Sequence, residues 1–290
     1  MLEVYFAMRI LSYRFLKLLL VFIPLWITSV AQSQEYNWQR FNEELSLTRG
    51  TFYTTGQYSE WLPQTDYCRL VKTKWGWDSC ADIDAFVVYP TNSVDTLIIV
   101  KPDNSGYVKF DDWKSSDKDE SIKQIEDELR KGVKQQSKSS GSNIQFLGWH
   151  TYPKLNEQNK FLYYATKLDW DGEIQLNVKA SVFDRRGYVE FNLVPVETNV
   201  SSSTIERMIV ETLGLYKPSP NETYASFTTG DKVSEIGVLG VLATLAGVKW
   251  GKVAATGLVA IFLAFAKKGW VLLLLPLFFL GRLFGRKKED

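Results

Sequence analysis

Apolar positions follow three different rhythms along this chain. In 144–150, 161–170, 173–183 and 187–194 they alternate with polar ones, which predicts antiparallel strands with one wet face. Turn signals separate these runs at Asp171-Gly172 and Asp184-Arg185-Arg186-Gly187. An earlier β-rich block reads as strands at 48–56, 86–90, 96–101 and 106–110, divided by Asn, Asp and Gly. In 121–136 the spacing becomes helical: Ile122, Ile125, Leu129 and Val133 share one face, with charges opposite. Segments 66–75 and 203–213 read as shorter helices, the latter capped by Thr204 or a neighbouring Ser. Residues 34–47 read as a short helix or an irregular arm, 217–220 as a linker and 224–227 as a short strand. The fold class expected is α+β: an antiparallel sheet in two hairpin blocks with flanking amphipathic helices.

The third rhythm is none at all. From Ile236 to Gly281 the chain is almost wholly apolar, interrupted by Lys249 and Lys252 around Trp250 and by Lys267 and Lys268 before Trp270. Nothing polar covers a second face, so this end is expected in or on a membrane, with a C-terminal transmembrane helix region. The apolar pieces are 236–248, 253–266 and 269–281, and each alone is short for a hydrocarbon core of ~30 Å. One arrangement lays 236–248 on the outer surface and crosses once with 253–281, leaving Lys267 and Lys268 near mid-depth. A helical hairpin turning at Lys267-Lys268-Gly269 is the alternative. The basic tail, Arg282, Arg286, Lys287 and Lys288, outweighs the lysine pair and favours one crossing with that tail in the cytoplasm. Buried lysines at mid-depth would face a partner helix or water, so homo-oligomerisation through this segment is an expectation.

Charge adds an orientation at the other end. Arg9, Arg14 and Lys17 precede an apolar core at 18–27 and small residues at 29–33, the pattern of an export signal. An uncleaved N-terminal anchor is the alternative. The organisation expected is therefore a signal at 1–33, an exported domain at 34–232, and a membrane anchor with a cytoplasmic tail at 233–290. Residues 34–232 hold 23 Lys and Arg against 29 Asp and Glu, which argues against a nucleic-acid partner. The expected location is the inner membrane, with the folded part on the periplasmic side. In an oxidising compartment the only cysteines, Cys68 and Cys80, are expected to pair, two buried thiols being the alternative.

Several short runs together resemble a bacterial family of membrane-anchored proteins catalogued as domain of unknown function 2167. They are Gly106-Tyr107-Val108-Lys109 with Asp111-Asp112, Gly148-Trp149 with Pro153, and Leu162, Tyr163 and Ala165. Asn177, Arg185-Arg186-Gly187, Tyr224-Ala225 with Phe227, and Asp231-Lys232 complete the set. The resemblance covers roughly residues 48–285 and implies anchoring, but no activity. Phe183-Asp184 and Ser234-Glu235-Ile236-Gly237 depart from the family pattern.

Candidate chemistry is sparse. His150 is the only histidine, so a triad or a His-rich metal site would rest on it alone, and a turn or surface histidine is the plainer reading. No catalytic, metal or cofactor set is expected. Arg185 and Arg186 could contact an anion, although a charged hairpin turn is the plainer reading. Asp111, Asp112, Asp117, Asp119 and Glu120 lack the spacing of a calcium loop and suit a helix N-terminus instead. Trp61, Trp75, Trp77, Trp113, Trp149 and Trp170 either line a ligand groove or pack the sheet. The function expected is a non-enzymatic envelope module binding a protein or lipid partner. A carboxylate-based envelope hydrolase and a subunit of a membrane transport complex are the alternatives.

Overall fold

The two alternating blocks meet in one sheet, because strands from each are apolar on both faces and demand cover. The computed structural model describes residues 36–41, 43–75 and 79–248. Strands β1 (Gln39–Arg40), β4 (Glu60–Trp61), β5 (Ile83–Thr91) and β6 (Val94–Val100) come from the first block. Strands β7 (Ile144–Asn156), β8 (Phe161–Trp170), β9 (Glu173–Phe183) and β10 (Tyr188–Pro195) come from the second. They form an eight-stranded antiparallel sheet in the order β1-β4-β5-β6-β10-β9-β8-β7. The seam is β10 on β6, with Phe191 opposite Ile99 and Leu193 opposite Leu97. A second sheet joins β2 (Glu44–Leu47), β3 (Gly50–Tyr53) and β11 (Tyr216–Pro218). The α+β class therefore holds, but the two expected hairpin blocks are halves of a single sheet.

The described residues include four α-helices, α1 (Gln64–Trp75), α2 (Lys118–Ser140), α3 (Ser202–Gly214) and α4 (Val238–Ala246), the last three packed on the large sheet. One face, with Val178, Ala180, Phe191 and Leu193, packs against Ile205, Met208, Ile209 and Leu213 of α3 and against the small sheet through Phe52 and Tyr216. On the other face Leu162, Tyr164, Phe183 and Tyr188 meet α2 and α4. The stripe predicted on α2 is the one buried: Ile122, Ile125, Leu129 and Val133 all face the sheet. The cap of α3 is Ser201, whose hydroxyl accepts the Thr204 N–H. At the edge, β7 carries three register shifts. Such irregularities discourage pairing with another strand.

Some local expectations fail. Gln39–Arg40 and Glu44–Leu47 form strands, not a helix or arm; 106–110 is a loop making one parallel bridge, Tyr107 to Val233; and 224–226 is a 3₁₀ turn, not a strand. The larger correction concerns 236–248. Instead of lying on a bilayer surface, α4 is built into the domain, with eight of its nine residues buried. The core of the domain therefore takes in residues 238–248. Among the described residues no helix is long and apolar enough to cross a membrane. The signal at 1–33, the apolar pieces at 253–281, Trp77, Lys267 and Lys268 lie outside the described residues.

The cysteines pair as expected. Cys68 on α1 is bonded to Cys80, with their Cα atoms 5.2 Å apart. The bond joins α1 to the segment entering β5, where the Tyr67 hydroxyl also donates to the Ile83 carbonyl at 2.9 Å.

Candidate functional site

The motif residues at 106–112, 185–187, 224–227 and 231–232, spread over more than a hundred positions, meet at one end of the sheet. The β9–β10 turn sits at the centre. Its Asp184 accepts two hydrogen bonds from Arg49 Nη1, at 2.5 and 2.6 Å, and both side chains are essentially excluded from solvent. Arg49 Nη2 donates to the Asp103 carbonyl at 2.6 Å and to Asn104 Oδ1 at 2.8 Å. One guanidinium thus ties β3 to the 102–105 loop and to the hairpin. Gly187 has φ of 155°, and a Cβ there would collide with the Asp103 carbonyl, so the glycine permits this close approach.

Residues 219–237 are strapped across that end. Arg185 holds Asp231 through two bonds of 2.7 Å, and Arg186 holds Glu222 at 2.7 Å. The Tyr107 ring stacks on Phe227 at 4.1 Å and lies 4.3 Å from Tyr224, while the Tyr224 hydroxyl donates to the Val108 carbonyl at 2.7 Å. Tyr107 N–H donates to the Lys232 carbonyl and Ser234 N–H to the Tyr107 carbonyl, a short ladder of 2.8 and 2.9 Å. Arg185 and Arg186, read as candidate anion contacts, are therefore both engaged by carboxylates of the strap. The two bonds from Arg185 hold the Asp231 carboxyl well below the usual carboxylate range.

The strap leads into α4, and its first turn is capped from a distance. Asp112 accepts the Val238 and Leu239 N–H groups, each at 3.0 Å. The carboxylate answers two donors that α4 cannot satisfy itself and sits at the positive end of its dipole. A Cβ on Gly237 would collide with that carboxylate. Burial pushes the Asp112 carboxyl above its ordinary value, opposed by the Leu239 and Val238 N–H groups. In sequence Asp112 stands with the acids preceding α2; in space it caps α4. Asp119 and Glu120 do lie in the first turn of α2.

Further charges lie on the face under α2 and α4. Lys179 and Asn192 are paired across β9 and β10, as are Ser181 and Glu190. Lys179 Nζ donates to Glu190 Oε1 at 2.9 Å, with both side chains largely buried. Beside them Ser181 Oγ and Asn192 Oδ1 are buried without a protein hydrogen-bond partner. The sequence reading passed over this row, since alternating strands routinely carry Lys, Glu, Ser and Asn on a wet face; only the helices overhead make the face dry.

The remaining candidates do not assemble. His150 lies in β7 with Nε2 2.8 Å from the Val200 carbonyl, and Cys68 is bonded to Cys80. Among the described residues no group of three or more His, Cys, Asp or Glu is placed to hold a metal. The tryptophans are shared out: Trp61 packs against the α3 core, Trp113 against the α4 core, Trp170 under the end of α2, and Trp149 between these last two. They brace separate clusters instead of lining one groove.

Solved structures include one similar to this chain, the solution structure of cyanobacterial PsbP (CyanoP) from Synechocystis sp. PCC 6803. The likeness has a TM-score of 0.32 at 10% sequence identity, covering 67% of this chain and 99% of that one, and carries no argument about function. No curated protein matches the chain. The model of a family described as a protein of unknown function, DUF2167, matches residues 41–278, a range that takes in the clasp, the polar row and α4. The chain belongs to the DUF2167 family.

Proposed function

We propose that the chain is a non-enzymatic module of the cell envelope, its folded domain on the exported side of the inner membrane and held there by the apolar run 253–281. Its work on this reading is to present the domain to an envelope protein or lipid partner. One observation carries the proposal. Several of the residues that bear the family pattern are engaged with one another in a clasp that locks α4, the helix that precedes the C-terminal apolar run in the chain. Asp112, Arg185, Asp231, Tyr107 and Tyr224 all have partners within the clasp. Such residues hold a rigid joint. The Cys68–Cys80 bond supports an oxidising compartment.

Fractionation tests the reading. The full chain is expected in the inner-membrane fraction, resistant to salt and carbonate, with the domain open to protease from the exported side. A chain ending at Val248 should be released in soluble form with an unchanged melting temperature. Recovery of the full chain in the soluble fraction would overturn the proposal. Replacing Lys267 and Lys268 together by Leu separates an anchor, which should keep partner capture, from a transport subunit, which should lose its function.

The buried row of Lys179, Ser181, Glu190 and Asn192 favours a second reading, an envelope hydrolase working through Glu190. Loss of a hydrolytic activity in Glu190→Gln, in protein that still unfolds cooperatively and stays in the same membrane fraction, would support it over the binding module.

A further inference from the structure

The path by which the chain leaves the domain determines which surface faces the membrane. Asp112 fixes the start of α4, and Val248 packs against the hydrophobic clusters at its far end. Val248 touches the cluster of Leu129, Val133, Ile144, Phe146, Leu168 and Trp170, under the C-terminal half of α2 and beside β7. Five residue steps separate Val248 from Val253, where the apolar run resumes. Fully extended, they reach no further than about 18 Å. A folded unit of this length has a radius of gyration of ~17 Å and is ~40 Å across. So short a tether cannot pass round to the α3 face on the other side of the sheet.

We infer that the bilayer is met by one specific surface of the domain: the C-terminal half of α2, the open edge of β7 and the β8–β9 turn. This rests on the membrane reading above and adds an orientation to it. The composition of the surface fits anionic phospholipid headgroups. From Arg130 to Ser140 α2 carries Arg130, Lys131, Lys134 and Lys138 and no carboxylate. Arg130 and Lys131 also pair with Glu126 and Glu128 on the same helix, and their side chains stay 52% and 72% exposed. Such cations are drawn to a negative leaflet. Leu147 on β7 and Ile174 beyond the turn are exposed apolar residues of the same end. Asp169, Asp171 and Glu173 are its acids; Asp169 accepts the Gly172 N–H and Asp171 the Asn143 N–H, both at 2.8 Å. The opposite face presents α3, where Glu206 and Glu211 outnumber Arg207.

The test uses the full chain reconstituted in vesicles of phosphatidylethanolamine and phosphatidylglycerol. A fluorophore is placed singly through Lys138→Cys, Leu147→Cys or Glu211→Cys, and quenched by headgroup-borne nitroxide lipid. Lys138, Leu147 and Glu211 are all exposed, so the labels leave the core untouched. Quenching at positions 138 and 147 is expected to exceed that at 211 severalfold. A Gly/Ser insert of about 20 residues after Val248 adds ~25 Å of reach and should erase the difference. Equal quenching at the three positions in protein that floats with the vesicles would overturn the orientation alone. Protein that fails to float would overturn the membrane reading, and this inference with it.

Discussion

Asp112 shows how far a single side chain can act from its place in the chain. In sequence it belongs to an acidic run before a helix; in space it satisfies two N–H groups of α4, 126 and 127 residues onward. Asp112→Ala should cost about 1–2 kcal/mol, the range for losing a helix cap, read as a lower denaturant midpoint at unchanged slope. Arg49 is more severe, because its loss strands Asp184 as a buried carboxylate. Arg49→Met should destabilise by about 3–5 kcal/mol by the same measurement. Asp231 provides a pH signature. Arg185 lowers its folded pKa below the unfolded value of ~3.9, so the folded state binds fewer protons and the pair stabilises fully above that value. The contribution drains away as pH falls below about 4. Asp112 has the opposite sign, since burial raises its folded pKa and acidification relieves the cost of its charge. Melting from pH 5 to pH 3 should therefore fall less steeply in Asp231→Asn than in the parent; parallel curves would refute the assignment. None of these pairings was legible beforehand. Arg185-Arg186 and Asp231 could be read as charged turns, but partnership across 46 residues is a product of the fold.

At the scale of the element, α4 is the instructive case. A helix apolar on every side belongs either to a protein core or to a membrane, and periodicity does not distinguish the two. Burying Val238, Leu239, Val241, Leu242 and Leu245 is worth roughly 7–15 kcal/mol, an upper bound because the unfolded chain already hides some surface. A chain ending at Ile236 should lose cooperative unfolding and bind hydrophobic dye, whereas one ending at Val248 should melt like the parent domain. Equal stability of the two would show α4 to be dispensable. By contrast α2 was readable, because its stripe of Ile122, Ile125, Leu129 and Val133 has a charged face behind it and only one way to turn. Strands β8 and β9 were readable as β-rich runs bounded by Asp171-Gly172, but the one wet face their alternation predicted is covered over most of their length. Short β1, β4 and β11 were not, since two or three residues hold no period.

For the whole molecule, the disulfide and the sheet order matter most. Cys68–Cys80 closes a 12-residue separation, for which chain entropy alone predicts about 3 kcal/mol. Cys68→Ser with Cys80→Ser should lower the melting temperature by several degrees while leaving the clasp intact; an unchanged melting temperature would show the bond to be incidental. What the amino-acid order determined by itself was local: the α+β class, the longer strands and helices, the expected pairing of its two cysteines, and an apolar C-terminal fifth. These follow from periodicity and composition, which act over a few residues. Only the tertiary structure decided that two hairpin blocks are one sheet, that the motif charges form a clasp, and that the first apolar piece belongs to the core. Those outcomes depend on which distant surfaces lose water together, and burial at long range leaves no periodic trace along a chain.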